Sequence, residues 1–467
     1  GLRPESLSDL SHIGIDTRVL LFALALVVGV AIVSGVLPAL RATDVSLGAA
    51  LKSGAPGSGG AAGSGRVRST LVAGEMMLSV VLLVGAGLLV RSLVERQRAD
   101  LGFHADGLLT MRTMLPKSRY ASSASRAAFR TELLERARAL PGVTDATIAM
   151  DAPPQYGFTG FADLEVEGRG PLSAAAPRLV AFNMVSPSFF HVLGISVISG
   201  RSFSDAENRT GAGVVVISKG MADRLFRGEN AIGQRVRHKP RGSEHGKWST
   251  VIGVVNDVAA MGLTGDTRHL QWYEPFGNGV ELAGGFTPDP GRLIVRTTGD
   301  ASALAPMLRG LVHSIDTEIP APDISTVESH FAEQLAAPRF NTILLGLFAA
   351  LALVLAAVGL FGVLSYAVAQ RTREIGIRVA LGAQTRDVRA LVVRQGMLPA
   401  IIGLTLGAIA AFFATRVLAS LLYSVAPRDT TAFVGAGVVL VATAFAACYV
   451  PARRATKVDP MTALRSE

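Results

Sequence analysis

Hydrophobic positions along this chain gather into long blocks, and polar positions fill the stretches between them. Five blocks, 19–40, 69–90, 341–369, 395–415 and 430–450, each hold about 20 residues or more, the length a helix needs to cross a bilayer. They predict five spans. Only the second contains a charge, Glu75, about two turns from its start. An acid at that depth is costly unless solvated or paired. Either it reaches Arg66 or Arg68 at the interface, or it makes a contact between helices. The third block is about 44 Å long as a helix, against a hydrocarbon core of roughly 30 Å, so it should protrude as a stiff stalk. In the fourth, Gly403, Gly407 and Ala411 recur every four residues. That spacing lets helices approach closely, within one subunit or between two.

The polar block 91–340 shows other periods. Alternating or short apolar runs predict strands at 108–112, 143–150, 292–298 and 323–327. Amphipathic stretches predict helices at 124–140 and 301–315, the latter capped by Asp300. Two β-α-β units separated by an insertion suggest a split ferredoxin-like module. The insertion, roughly 158–285, reads as β-rich, with strands at 161–167, 178–185, 213–217 and 249–256 and short helices at 187–193 and 219–226. A helix over 327–336 should end at Pro338, before the third span. The fold class is therefore an α-helical transmembrane bundle plus a large α+β extracytoplasmic domain.

Composition agrees with a membrane protein: 467 residues, 49% hydrophobic, 17% charged, formal net charge +9. Much of the positive excess lies in short loops beside apolar blocks, which speaks for topology and against a nucleic-acid partner. Segments 41–68, 370–394 and 451–467 hold 14 Lys and Arg, against four in 1–18 and 416–429. The bias places the first set inside, the block 91–340 outside and the C-terminus in the cytoplasm. The one cysteine, Cys448, lies in an apolar block, so the outer domain is expected to fold without disulfides. The chain opens on Gly1 with no signal-peptide pattern, and a truncated or processed start is expected.

Residues 370–394 carry six arginines together with Ile375, Ile377, Val379, Ala380 and Leu381. So short a loop cannot bury these apolar residues in a core of its own. They extend the membrane helices or face a partner. The pattern predicts a helix leaving the membrane, a break at Gly382 and a second helix started by Thr385 with Asp387 in its first turn.

An offset of 413 residues aligns the two ends of the chain without gaps. Asp16-Thr17 falls on Asp429-Thr430, Pro38-Ala39 on Pro451-Ala452, and Arg41-Ala42-Thr43 on Arg454-Ala455-Thr456. Chance can align apolar runs, but not the polar residues flanking both. Residues 1–68 then hold the last helix of a preceding copy of the unit and a Gly/Ser linker. The complete unit comprises span 69–90, the outer block 91–340 and the region 341–467. The linker GAPGSGGAAGSG is followed by no Gly-Lys-Ser/Thr, so it cannot serve as a phosphate loop.

The polar block contains no recognisable catalytic or metal-binding set. No histidine pair stands at i,i+4, and no G-x-S-x-G elbow appears. Asp205 and Glu207 read as turn and cap residues. Trp248, Trp272, Tyr273 and Phe276 read as core or as a ligand surface.

Gln370-Arg-Thr-Arg-Glu-Ile-Gly-Ile-Arg378, Ala380-Leu-Gly-Ala383, Pro451-Ala-Arg-Arg-Ala455 and Val458-Asp-Pro460 resemble the FtsX-like permease family in its MacB-type branch. Val185-Ser-Pro-Ser-Phe-Phe190, Gly200-Arg-Ser-Phe203 and Val251-Ile-Gly-Val-Val-Asn-Asp257 look like that branch's periplasmic core domain. The leading helix is similar to duplicated permeases of the acidobacterial type. The resemblance implies a multi-pass protein of the bacterial inner membrane with residues 91–340 in the periplasm. It implies docking of a P-loop ATPase subunit on a cytoplasmic elbow comprising Glu374, Ile375, Gly376, Arg378, Leu381, Gly382 and Ala383. ATP would be bound by that partner, with no cofactor and no enzyme activity here. A homodimer or a pairing with the preceding permease copy, membrane lipids and a periplasmic adaptor are the further partners expected. The expected function is mechanotransmission: ATP hydrolysis moves the periplasmic domain to export a substrate. A non-transporting scaffold that regulates an envelope enzyme is the alternative.

Overall fold

The computed structural model describes residues 61–153, 158–169, 179–240, 247–259, 270–276, 291–370, 377–378, 384–423 and 425–455, with scattered helical residues within 17–32. In chain order its elements are α1 (Ala61–Arg98), β1 (Leu108–Arg112), α2 (Ser123–Arg138), β2 (Val143–Ala149), β3 (Phe158–Val166) and β4 (Leu179–Val185). Then come α3 (Phe189–Leu193), β5 (Val197–Gly200), α4 (Asp205–Thr210), β6 (Val214–Ser218), α5 (Lys219–Phe226), β7 (Arg235–Pro240) and β8 (Ser249–Val255). The chain continues through β9 (Leu270–Pro275), β10 (Arg292–Thr297), α6 (Ala305–Ile315) and β11 (Asp323–Thr326). Three long helices follow: α7 (Val327–Gln370), α8 (Thr385–Ala414) and α9 (Thr430–Ala455). Two compact units result, Arg96–Ala336 and the remainder.

In the unit Arg96–Ala336, the described strands form one sheet of eleven. Its first four stand in the order β11-β1-β10-β2, with each neighbouring pair antiparallel. With α2 joining β1 to β2 and α6 joining β10 to β11, this is the split ferredoxin-like module. Helix α2 starts where the Ser122 hydroxyl accepts from Ser125 N at 3.0 Å. Its buried stripe is Phe129, Leu133 and Ala137, one helical turn apart. Helix α6 buries Leu308, Leu311 and Val312, and the Asp300 carboxylate caps the 3-10 turn that precedes it. Gly107 opens β1 at φ +68°, and a Cβ there would collide with the Thr297 carbonyl.

The insertion does not form a sheet of its own. Strand β4 joins β2 at Ala149↔Val185, which makes the insertion an extension of the ferredoxin sheet. From β4 the pairing runs through β3, β7, β8, β6 and β9, and β9 returns to β4 in parallel register, Val180↔Leu270 to Val185↔Pro275. Six strands thus close into a ring, which removes the open edges a β-rich insertion would otherwise present. Strands β5, β7 and β9 and helix α4 were not read from the sequence. Strand β9, LQWYEP, is only six residues long, with a proline at its end. Its pairing comes from β4 and β6, remote in sequence.

The second unit contains the candidate spans. Among the described residues four helices are long and apolar enough to cross a membrane: Arg68–Arg98, Val327–Gln370, Thr385–Ala414 and Thr430–Arg454. The described part of the first predicted span is a shorter apolar helix, Leu20–Gly29, and residues 33–40 of that span lie outside the described residues. One expectation is corrected. Pro338 does not break the chain: α7 passes through it as one helix of 44 residues. A proline inside a helix costs one i→i−4 hydrogen bond and crowds the preceding turn, and here the helix continues through that cost. The helix expected to start at Thr385 with Asp387 in its first turn is present and forms the beginning of α8, which continues to Ala414.

Candidate functional site

Helix α8 buries one face along its whole length: Val388, Val392, Gly396, Pro399, Ala400, Gly403, Gly407 and Ala411. Steps of three and four keep these residues on a single stripe. The glycines mark where other helices come closest. A Cβ on Gly403 would lie 2.5 Å from the Ala73 carbonyl and 2.6 Å from the Met76 Cβ. One on Gly407 would lie 2.7 Å from the Val80 Cβ. Both glycines, with Ala411 buried beyond them, thus belong to contacts within this chain, against α1. Gly396 extends the stripe toward the helix start and faces Leu364 of α7 and Cys448 of α9, at 2.5 and 2.8 Å from a Cβ built there. It stands seven residues before Gly403, two turns along the same face. That spacing was a usable signal which the four-residue rule passed over.

Glu75 faces α7, not the start of its own helix. A Cβ on Gly359 would collide with the Glu75 Oε2, so the glycine leaves room for the carboxylate. One turn on, the buried Ser79 hydroxyl donates to Glu75 O at 2.8 Å and reaches Ala352 O of α7 at 3.1 Å. Arg68, one expected partner of Glu75, instead stacks over Tyr366 at 3.9 Å. The side chain of Arg66, the other, lies outside the described residues. Toward the opposite end of these helices, Arg91 pairs with Asp429 at 2.5 Å. Asp429 also accepts from the backbone N–H groups of Thr431 and Ala432 at 3.0 and 3.1 Å, capping α9.

Of the expected elbow, Glu374, Ile375, Gly376, Leu381, Gly382 and Ala383 lie outside the described residues. Arg378 is in a helical pair with Ile377, which is exposed. On the far side, Gln384 caps α8 and its backbone N–H donates to the Asp387 carboxylate at 3.3 Å. Asp387 therefore stands in the first turn, where the helix dipole favours an acid.

In the other unit, Glu207 closes a capping box with Ser204 and takes both guanidinium nitrogens of Arg201, at 2.7 and 2.8 Å. That hydrogen bonding pulls its carboxyl down to about 2. Trp272 and Tyr273 are fully buried and Phe276 nearly so, while Trp248 lies under Arg237 at 4.5 Å. Inside the strand ring, the His238 ring stands edge-on to Phe182 and Trp272, and Trp272 Nε1 donates to Glu274 at 2.8 Å. Burial holds the His238 imidazole low and the Glu274 carboxyl high. Among the described residues no group of three or more His, Cys, Asp or Glu could hold a metal ion.

A profile of the MacB-like periplasmic core domain matches residues 76–304, and one of the FtsX-like permease C-terminal domain matches 346–460. The chain belongs to the MacB-type FtsX-like permeases. Relatives of this permease include the "Probable syringafactin export ATP-binding/permease protein SyfD" of Pseudomonas syringae pv. tomato, 30% identical over 293 residues. That match covers 60% of this chain and 41% of the relative. The macrolide export ATP-binding/permease protein MacB of Hahella chejuensis is 28% identical over 295 residues, 62% of this chain and 43% of that protein. This permease thus spans less than half the length of the curated relatives it matches. The periplasmic region of MacB from Actinobacillus actinomycetemcomitans aligns with 17% identity and a TM-score of 0.33, over 51% of this chain and 94% of that structure. The chain thus joins a MacB-like periplasmic core domain to an FtsX-like permease C-terminal domain, with four helices among the described residues long and apolar enough to cross a membrane.

Proposed function

We propose that this permease couples ATP hydrolysis in a separate P-loop ATPase to movement of its periplasmic domain, and so drives export. The supporting observation is the continuity of α7 and α8 on either side of residues 371–383. Helix α7 has 44 residues and α8 has 30, or about 66 and 45 Å at 1.5 Å per residue. The buried stripe of α8 starts at Val388, four residues after its cap, so a push on the elbow meets a packed rod and not a loose loop. In this reading Glu374, Ile375, Gly376, Arg378, Leu381, Gly382 and Ala383 dock on the ATPase from the cytoplasm. ATP binds there and not on this chain, and the C-terminus is cytoplasmic. The permease acts as a pair, with a second copy or with a preceding permease unit. The packing of Gly403 and Gly407 against α1 leaves those residues to hold the helices together within one copy.

The test is made on the complex purified from its native membranes in nanodiscs. Stimulation of ATP hydrolysis by the permease is expected, and it should fall about tenfold or more in Gly382→Trp and Glu374→Arg while both variants still fold. Unchanged coupled activity in both would show that the elbow lies elsewhere. Cysteine labelling of residues 370–394 from the periplasmic side would end the reading altogether.

A further inference from the structure

One recess in the unit Arg96–Ala336 gathers positive charge without an acid to answer it. About 90 Å³ in volume, it lies between α2, β2, α4 and the end of β9. Arg130 and Arg209 line it together with Asn208, Phe276 and Ile148, and no carboxylate is among its lining residues. Arg130 is half-buried and its guanidinium lies over the Phe276 ring at 4.9 Å. Burial, with the positive charge of Arg126 adding to it, pushes the Arg130 guanidinium down to about 10. A cation held in that state is short of an anion.

Two nearby acids are committed elsewhere. Glu132 pairs with Arg136 at 2.6 Å, and Glu207 with Arg201. Arg126 is also engaged, donating to the carbonyls of Tyr120 and Ala121 at 2.9 Å. Asn208 uses its side-chain oxygen to accept from Phe276 N at 3.0 Å, which leaves its NH2 group as a donor. Two guanidinium groups and an amide donor beside an aromatic ring and an isoleucine are the parts of a site that reads charge at one end and apolar surface at the other.

We propose that this recess binds a small organic oxyanion, a carboxylate or phosphate group carried on an apolar body. The charged group sits between Arg130 and Arg209, and the apolar part lies along Phe276 and Ile148. Binding at this recess is independent of the ATPase coupling proposed above and is measured without the partner.

The experiment uses the full chain in nanodiscs with phenyl phosphate as probe, read by saturation-transfer NMR. Inorganic phosphate, read by its competition with the phenyl phosphate signal, and benzylamine serve as comparison compounds. Saturable binding of phenyl phosphate is expected, weaker binding of inorganic phosphate, and none of benzylamine. Arg130→Gln and Arg209→Gln should each weaken phenyl phosphate about tenfold or more, while Arg130→Lys keeps part of the affinity. Arg209 is exposed, so its variant decides the matter if Arg130→Gln misfolds by far-UV circular dichroism. The proposal is overturned by any of three results: no saturable phenyl phosphate binding, wild-type affinity retained in the folded Gln variants, or inorganic phosphate binding as tightly as phenyl phosphate.

Discussion

The two units of this permease hold themselves together by opposite means. In Arg96–Ala336 the large apolar side chains point inward: Trp272, Tyr273, Phe189, Phe190 and Phe226 are all within 2% of full burial. Few large hydrophobic residues there are exposed, among them Met114, Val197, Ile198 and Met307. In the helical unit many large apolar side chains face outward and small residues stand at the close helix contacts. Leu347, Val358, Leu398, Phe413 and Val438 are each 60% or more exposed, while Gly403, Gly407, Ala411, Ala444 and Cys448 are buried. Water drives the first arrangement, because apolar area removed from it stabilises by roughly 25 cal/mol per Å². Lipid offers no such drive, so helices associate by close fit, and small residues supply the fit. Large apolar side chains therefore mark the core of the first unit, whereas in the helical unit they lie both in the core, as at Leu88, Leu360 and Leu440, and on the exposed faces.

The largest expected effect breaks this contrast at its aromatic end. Trp272→Ala should cost about 3–5 kcal/mol through the cavity it leaves, and it also frees the Glu274 partner. Leu347→Ala, at 64% exposure on α7, should change thermal stability in detergent hardly at all. Equal losses in both would mean that α7 is packed on that face.

A smaller effect probes the close-fit end. Gly403→Val drives a branched side chain into the Ala73 backbone and should cost about 1–3 kcal/mol, read as a lower melting temperature of the solubilised permease. Gly437→Val has nothing within 4 Å of its Cβ and serves as the control. If Gly437→Val were the worse of the two, intramolecular packing would not be what the glycine stripe provides.

The smallest effect is electrostatic. Glu207 has its carboxyl lowered from 4.5 to about 2 by Arg201 and the Ser204 cap. A depressed carboxylate stabilises the folded state fully above its unfolded value and loses that contribution as pH falls through the folded one. Glu207→Gln should therefore lower stability slightly at neutral pH and narrow its gap to the wild type between about pH 4.5 and 2. Urea titrations at pH 7 and pH 2.5 measure the difference. A gap that grew on acidification would contradict the sign.

Much of the ferredoxin-like module was legible because its elements carry their own signals. Helix α2 has a serine cap and an i,i+4 stripe, α6 has Asp300 and an apolar face, and β10, RLIVRT, is continuous enough to read as a strand. Strands β5, β7 and β9 were not legible, since VISG, RVRHKP and LQWYEP are ordinary short segments until a neighbour pairs with them. At Pro338 local propensity misled, because a helix held at both ends tolerates one missing hydrogen bond. Glu75 was recognisable as costly, but its neighbour could not be read. Gly359 lies 284 positions away and is one glycine among 50.

The sequence alone settled which segments are apolar enough to cross a membrane, the module of two β-α-β units between them, and the motifs of the FtsX-like and MacB-like domains. These depend on composition and on periods of two and 3.6, which are local properties of a chain. Tertiary structure decided that the insertion closes into a six-strand ring, that Gly403 and Gly407 face α1, and that Arg130 and Arg209 share a recess. Those facts depend on which distant residues meet, and distance along the chain carries no record of it.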